Sequence, residues 1–235
     1  PTMDFRITDD LVDPVGMTEK FHTERLIRLS RCAWCYEPDA VAPEVVALPF
    51  QRNGHITFGC FNNMAKLNPA LFDMWAEILI KVPDSHLRLK ARTLTDDRVK
   101  NELKDYFTAK GISAERLDFF GHTRKIHEHL NHYHEVDIAL DSFPYHGTTT
   151  TCEAMWMGCP VVTRAGGAHV SRVGVSLLSA VGLEEFIGQN REDYIGKAAA
   201  LAGNIDRLVE LRGGMRDRLK SSPLMNAPDF AREFE

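Results

Sequence analysis

The chain has no uninterrupted apolar run approaching the ~20 residues a membrane-spanning helix needs, and it carries no secretory signal. A basic excess is also missing. Its 28 Lys and Arg stand against 33 Asp and Glu, a net charge of −5, the wrong sign for a partner held by a nucleic-acid backbone. The five cysteines are odd in number and follow no framework spacing, so they fit a reducing compartment, the cytoplasm, better than a disulfide scaffold. Cys32 and Cys35 form a CxxC, but no second pair completes a zinc site. There is no initiator methionine, because the text opens PTMDF, and the chain reads as a piece of something longer.

Two sharper signatures are absent as well. Five histidines crowd into GHTRKIHEHLNHYHE, at His122, His127, His129, His132 and His134, yet HExxH fails because Asn131 holds the position that would need the second histidine. The glycine spacings of P-loops and dinucleotide fingerprints do not occur at the phosphate-like turn described below.

What remains is ordinary globular material, 44% hydrophobic and 26% charged over 235 residues, with enough length for a sizeable core. FRIT reads as a short strand, Asp13 and Pro14 as a turn, and Thr18 to Leu29 as a helix whose apolar residues cover only part of one face. Residues 37–54, with three prolines and the turn QRNG, read as a linker between a unit at 1–36 and the main body at 55–235. From there strand and helix alternate. Strands are expected at His55–Phe61, His86–Ala91, Arg116–Phe120, Val136–Leu140, Pro160–Thr163 and near Glu185–Ile187. Helices are expected at Pro69–Val82, Asp97–Lys110, Lys125–Tyr133, after Thr151, at Val170–Val181 and from Arg191 to Lys220. Such alternation predicts an α/β fold: a doubly wound, Rossmann-like parallel sheet with ligands outside the carboxyl ends of its strands.

That rule singles out VDIALDSFPYHGTTTTCEAMWMG, Val136 to Gly158, as strand, turn and helix. The first N–H groups of the helix, beside the hydroxyls of Thr148, Thr149, Thr150 and Thr151, would favour a phosphate. Glu153, about one turn in, would repel a phosphate but accept hydrogen bonds from ribose hydroxyls. The plainer alternative makes the threonines a simple N-cap. At the end of the first regular strand, FNNMAK offers Asn62 and Asn63 to turn the chain and Lys66 as a point charge for a diphosphate.

ITFGCFNNMAK, VDIALDSFPYHGTTTTCEAMWMG, PVVT, SRVGVSLL and SSPLMN together resemble the C-terminal catalytic half of protein O-GlcNAc transferases and their Spindly-type relatives. MDFRITD resembles the segment where that family's N-terminal catalytic lobe ends. The resemblance implies the C-terminal lobe of a GT-B enzyme, usually preceded by tetratricopeptide repeats, which transfers sugar to Ser or Thr hydroxyls of intracellular proteins with inversion and without a metal. It implies that Lys66 is the catalytic lysine at the diphosphate and that Asn63 lies beside it, where animal enzymes have glutamine. His129 would lie at the nucleotide, Thr149 and Thr150 at the phosphates, and Glu153, aspartate in animal enzymes, at the ribose. Thr148 replaces a histidine of those enzymes, and GTTTTCE is closer to Spindly-type members, some of which use GDP-fucose. Arg172 is closer to the GlcNAc type. UDP-GlcNAc is therefore the expected donor and GDP-fucose the alternative, while a non-catalytic adaptor or an epimerase-like domain represents the other classes. The acceptor groove and base would belong to the N-terminal lobe, so the chain alone should be inactive.

Overall fold

A computed structural model describes residues 3–235. Strands β1 (Phe5–Asp9) and β2 (Arg25–Leu29) pair in parallel as a small two-stranded sheet, in register from Phe5 opposite Arg25 to Asp9 opposite Leu29. The helix expected over Thr18–Leu29 is not formed. Only a single 3₁₀ turn, Glu19–Phe21, precedes β2. The partial apolar face was too weak to sustain a helix, whereas RLIRL alternates in burial and satisfies its backbone groups against β1, a tertiary partner overriding local preference.

Residues 37–54 are mostly irregular and carry one short helix, α1 (Phe50–Asn53), closed by Gly54 at φ 73°. The stretch is stitched down. Asp137 accepts hydrogen bonds from Phe50 N–H and Thr57 N–H at 2.9 and 2.8 Å, and the buried Arg212 donates to the carbonyls of Val46 and Val136, both at 2.8 Å.

The main sheet holds β3 (Thr57–Cys60), β4 (His86–Lys90), β5 (Leu117–Phe120), β6 (Ile138–Leu140), β7 (Val161–Arg164) and β8 (Ile187–Gly188). All are parallel, in the order β5-β4-β3-β6-β7-β8. The expected strands are all present, most trimmed by a residue or two. Between them run α2 (Pro69–Lys81), α3 (Asp97–Thr108), α4 (Ile126–Asn131), α5 (Thr149–Trp156), α6 (Val173–Ala180), α7 (Arg191–Ala202) and α8 (Ile205–Lys220). A terminal helix, α9 (Ala227–Phe234), was not anticipated, and α6 begins three residues later than expected because His169–Ser171 forms a 3₁₀ turn.

The core follows the apolar stripe of α2. Asn68 caps that helix by accepting from Leu71 N–H at 3.0 Å, Pro69 supplies a first-turn residue that needs no donor, and Leu71, Met74, Trp75, Ile78 and Leu79 are all buried. Trp75 meets α7, its indole N–H donating to Tyr194 Oη at 3.0 Å. Strands β3 and β6 sit so close to the preceding loop that a Cβ on Gly59 would come within 2.6 Å of Val136, so β3 requires glycine there.

The strand order reverses between β3 and β6. In open parallel sheets that crevice, at the carboxyl ends, is where ligands sit.

Candidate nucleotide site

Asp141, directly after β6, shapes the site although it faces no solvent. One carboxylate oxygen accepts the N–H groups of Ser142 and Gly147 at 2.9 and 2.8 Å, the other accepts Thr163 Oγ1–H at 2.8 Å, and the loop is folded back on itself. His146 locks the same loop. Gly174 N–H donates to its Nδ1 at 2.9 Å, so the ring hydrogen must be on Nε2, which donates to Arg164 O at 2.9 Å. Burial lowers the pKa of this imidazole against the pull of Asp141, which keeps it in the neutral form that the two bonds require. Gly147 has no room for a side chain: a Cβ would lie 2.7 Å from Thr151 Oγ1 and 2.9 Å from Asn62 Oδ1.

This loop delivers α5 with a bare N-terminus. Thr148 makes no side-chain cap, which removes the simple N-cap reading, and the first bond back is from Cys152 N–H to Thr148 O at 3.1 Å. The N–H groups of Thr149, Thr150 and Thr151 have no protein acceptor among the described residues. They carry the positive end of the helix dipole.

Lys66 comes to the same place from the 3₁₀ turn Met64–Lys66 after β3. Its Nζ donates to His146 O at 2.7 Å and lies 4.4 Å from the Tyr145 ring centroid, so it is not the freely solvated lysine that surface statistics would favour. Burial lowers its pKa, opposed by the charge of Asp141. An ammonium has three donors, and two of these find no acceptor among the described residues. Asn63 uses its side-chain carbonyl on Ala65 N–H at 3.0 Å, and so builds the turn that carries Lys66.

Glu153 lies four residues beyond Thr149 on α5, and its Oε2 is 3.2 Å from His129 Nε2 on α4. His129 Nδ1 is in turn 2.8 Å from Lys90 Nζ at the end of β4. The ring of Phe61 packs edge-on to His129 at 6.0 Å between centroids and tilts against Tyr133 at 4.4 Å, and Tyr133 Oη–H donates to Thr150 O at 3.2 Å. The expected residues Lys66, Asn63, His129, Thr148, Thr149, Thr150 and Glu153 thus all lie on segments that follow the carboxyl ends of β3, β5 and β6. Lys90 and His146 were missed. The carboxyl-end rule that selected Lys66 also selects Lys90, the last residue of HLRLK, whereas His146 gave only its place between Pro144 and Gly147.

Other flagged groups do different work. Arg172 donates to Leu11 O at 2.7 Å and Gly166 O at 3.1 Å, tying the β1–β2 unit to the loop before α6. The His132 ring lies tilted against Phe120 at 4.9 Å between centroids, and burial, with the charges of Lys90 and Arg88, drops its pKa to about 4. Among the described residues no three of His, Cys, Asp or Glu gather as metal ligands. All five cysteines are free thiols. Cys32, Cys60, Cys152 and Cys159 are buried, with burial pushing Cys60 up to about 12 and Cys159 to about 11, while Cys35 is exposed.

A profile of glycosyl transferase family 41 matches residues 46–234. The chain belongs to glycosyl transferase family 41. A probable UDP-N-acetylglucosamine–peptide N-acetylglucosaminyltransferase SPINDLY of Arabidopsis thaliana is 41% identical over 231 residues, 98% of this chain and 25% of that protein. The UDP-N-acetylglucosamine–peptide N-acetylglucosaminyltransferase of Caenorhabditis elegans is 29% identical over 180 residues, 77% of this chain and 15% of that one. A mutant of Thermobaculum terrenum O-GlcNAc transferase superposes with TM-score 0.89 at 35% identity, over 98% of this chain and 43% of that chain. Sucrose-phosphate synthase of Thermosynechococcus elongatus, at TM-score 0.57 and 17% identity over 98% of this chain and 56% of that one, shares the fold alone. The six-stranded sheet is the Rossmann-like lobe of a GT-B architecture. The chain spans about a quarter of the length of the plant relatives it matches.

Proposed function

We propose that this chain is the nucleotide-sugar-binding half of an inverting transferase that moves GlcNAc from UDP-GlcNAc to Ser or Thr hydroxyls of proteins. The observation that carries the reading is the uncapped N-terminus of α5 directly after the loop whose His146 carbonyl holds Lys66, with Glu153 one turn further on. Free N–H groups and an ammonium with two unused donors suit a diphosphate, and the carboxylate beyond them suits a ribose diol. In the reaction the acceptor hydroxyl forms a bond to the anomeric carbon as the bond from that carbon to the diphosphate oxygen breaks. Lys66 and the helix terminus stabilise the charge that develops on the leaving UDP, Thr149 and Thr150 hold its phosphates, and His129 orients the nucleoside. That charge is supplied without a metal.

The donor is assigned from relatives whose names carry UDP-N-acetylglucosamine; none of those cited names fucose. An N-terminal catalytic lobe and helical repeats in the parent would supply the acceptor groove and the base that takes the hydroxyl proton, consistent with the quarter-length match. Holding donor carbon, hydroxyl and base in near-attack geometry accounts for about 7–11 kcal/mol of such a barrier. The chain alone should therefore fail to label a protein substrate, and the full parent should succeed. The free thiols favour action in the cytoplasm.

Calorimetric titration with UDP and with GDP, each with and without EDTA, tests the assignment. UDP binding that survives EDTA is expected. Preference for GDP would move the donor to GDP-fucose, a strict need for Mg²⁺ or Mn²⁺ would overturn the metal-free site, and no heat with either nucleotide would overturn the site itself.

A further inference from the structure

Lys90 ends β4 at the edge where the nucleotide is placed, and it is only 5% exposed. No carboxylate pairs with it directly among the described residues, and its one hydrogen-bond partner is His129 Nδ1 at 2.8 Å. An ammonium can only donate, so Nδ1 must accept and the hydrogen of the neutral ring must be on Nε2, from which it is donated to Glu153 Oε2 at 3.2 Å. The result is a single chain, Lys90 to His129 to Glu153, that ends on the carboxylate assigned to the ribose. Its other oxygen, Oε1, has no hydrogen-bond partner among the described residues. Phe61 and Tyr133 hold the imidazole edge-on at 6.0 Å each, so ring position and ring tautomer are fixed by different groups.

We propose that Lys90 is a positioning residue for nucleoside recognition: by fixing the tautomer of His129 it aims Glu153 at the ribose. The proposal rests on the nucleotide reading above. Packing alone does not call for a lysine here, since a methionine of similar length would fill the space without the cost of burying a charge.

The test compares wild type, Lys90→Met and Lys90→Arg, using UDP and inorganic pyrophosphate as calorimetric probes and ¹⁵N imidazole spectra of His129. Wild-type His129 should carry its hydrogen on Nε2. Lys90→Met should fold with undiminished thermal stability, lose the single tautomer and bind UDP about tenfold more weakly, as expected when a charged hydrogen bond is removed. Its pyrophosphate affinity should not change, and Lys90→Arg should restore both UDP binding and the tautomer. The inference is overturned if Lys90→Met binds UDP as wild type does, if it loses UDP and pyrophosphate alike, or if wild-type His129 carries its hydrogen on Nδ1. Failure of wild type to bind UDP at all would instead overturn the nucleotide reading and this inference with it, and it would be seen before any substitution is made.

Discussion

The two sheets of this molecule are both parallel, but they are held in opposite ways. Strands β3 and β6 are buried along their whole length, whereas β1 and β2 leave Phe5, Ile7 and Ile27 exposed and bury mainly their last residues. The large sheet rests on apolar packing. The small one is attached through buried carboxylates: Asp9 accepts from Ala33 N–H at 2.8 Å and Ser176 Oγ–H at 2.6 Å, and Asp13 gathers His169 at 2.7 Å and His22 at 3.3 Å. Removing apolar volume should therefore injure one region, and changing pH the other.

The largest effect is expected in the large sheet. Trp75→Ala should cost about 3–5 kcal/mol in denaturant unfolding, since a fully buried ring is lost and Tyr194 loses its donor. A cost below about 1 kcal/mol would mean that α2 and α7 do not pack as described.

A smaller effect, specific to the small sheet, is expected on acidification. Burial alone would raise the pKa of Asp13, but hydrogen bonds from Thr8 and His169, together with the charge of His169, hold it down at about 2. The folded-state pKa lies below the ordinary 3.8, so this stabilisation is complete above that value and is lost as pH falls towards 2. It amounts to roughly 2 kcal/mol at most. Wild type should therefore lose more stability than Asp13→Asn between pH 4 and 2, and parallel pH profiles would contradict the assignment. The smallest effect belongs to the exposed face of β1, where Phe5→Ala should change stability by less than about 0.5 kcal/mol.

The same contrast explains what could be read from the sequence. Pro69, the apolar spacing through Leu79 and the run from Val136 to Leu140 state locally what the large sheet makes of them, so its alternation was legible. Residues 18–29 were not, because β2 exists only through its pairing with β1, and no local pattern reports a partner. At the candidate site, the placement of Lys66, the threonines and Glu153 could be read, because a helix terminus and the strand ends define where a phosphate and a ribose could lie. The internal scaffold was not. Asp141 is fixed in part by Thr163, His146 acts through the Arg164 carbonyl and Gly174, and Lys90 acts through His129, and those partners are distant in the chain.

The central claim, that α5 and Lys66 together form the diphosphate site, is tested most directly by the UDP affinity of Lys66→Ala and Thr149→Ala measured beside wild type. Each should bind more weakly, with the lysine variant losing about 1.5–3 kcal/mol, the usual worth of a charge-assisted phosphate contact, while its melting temperature stays near that of wild type. Affinity unchanged within error in both variants would contradict the placement of the phosphates.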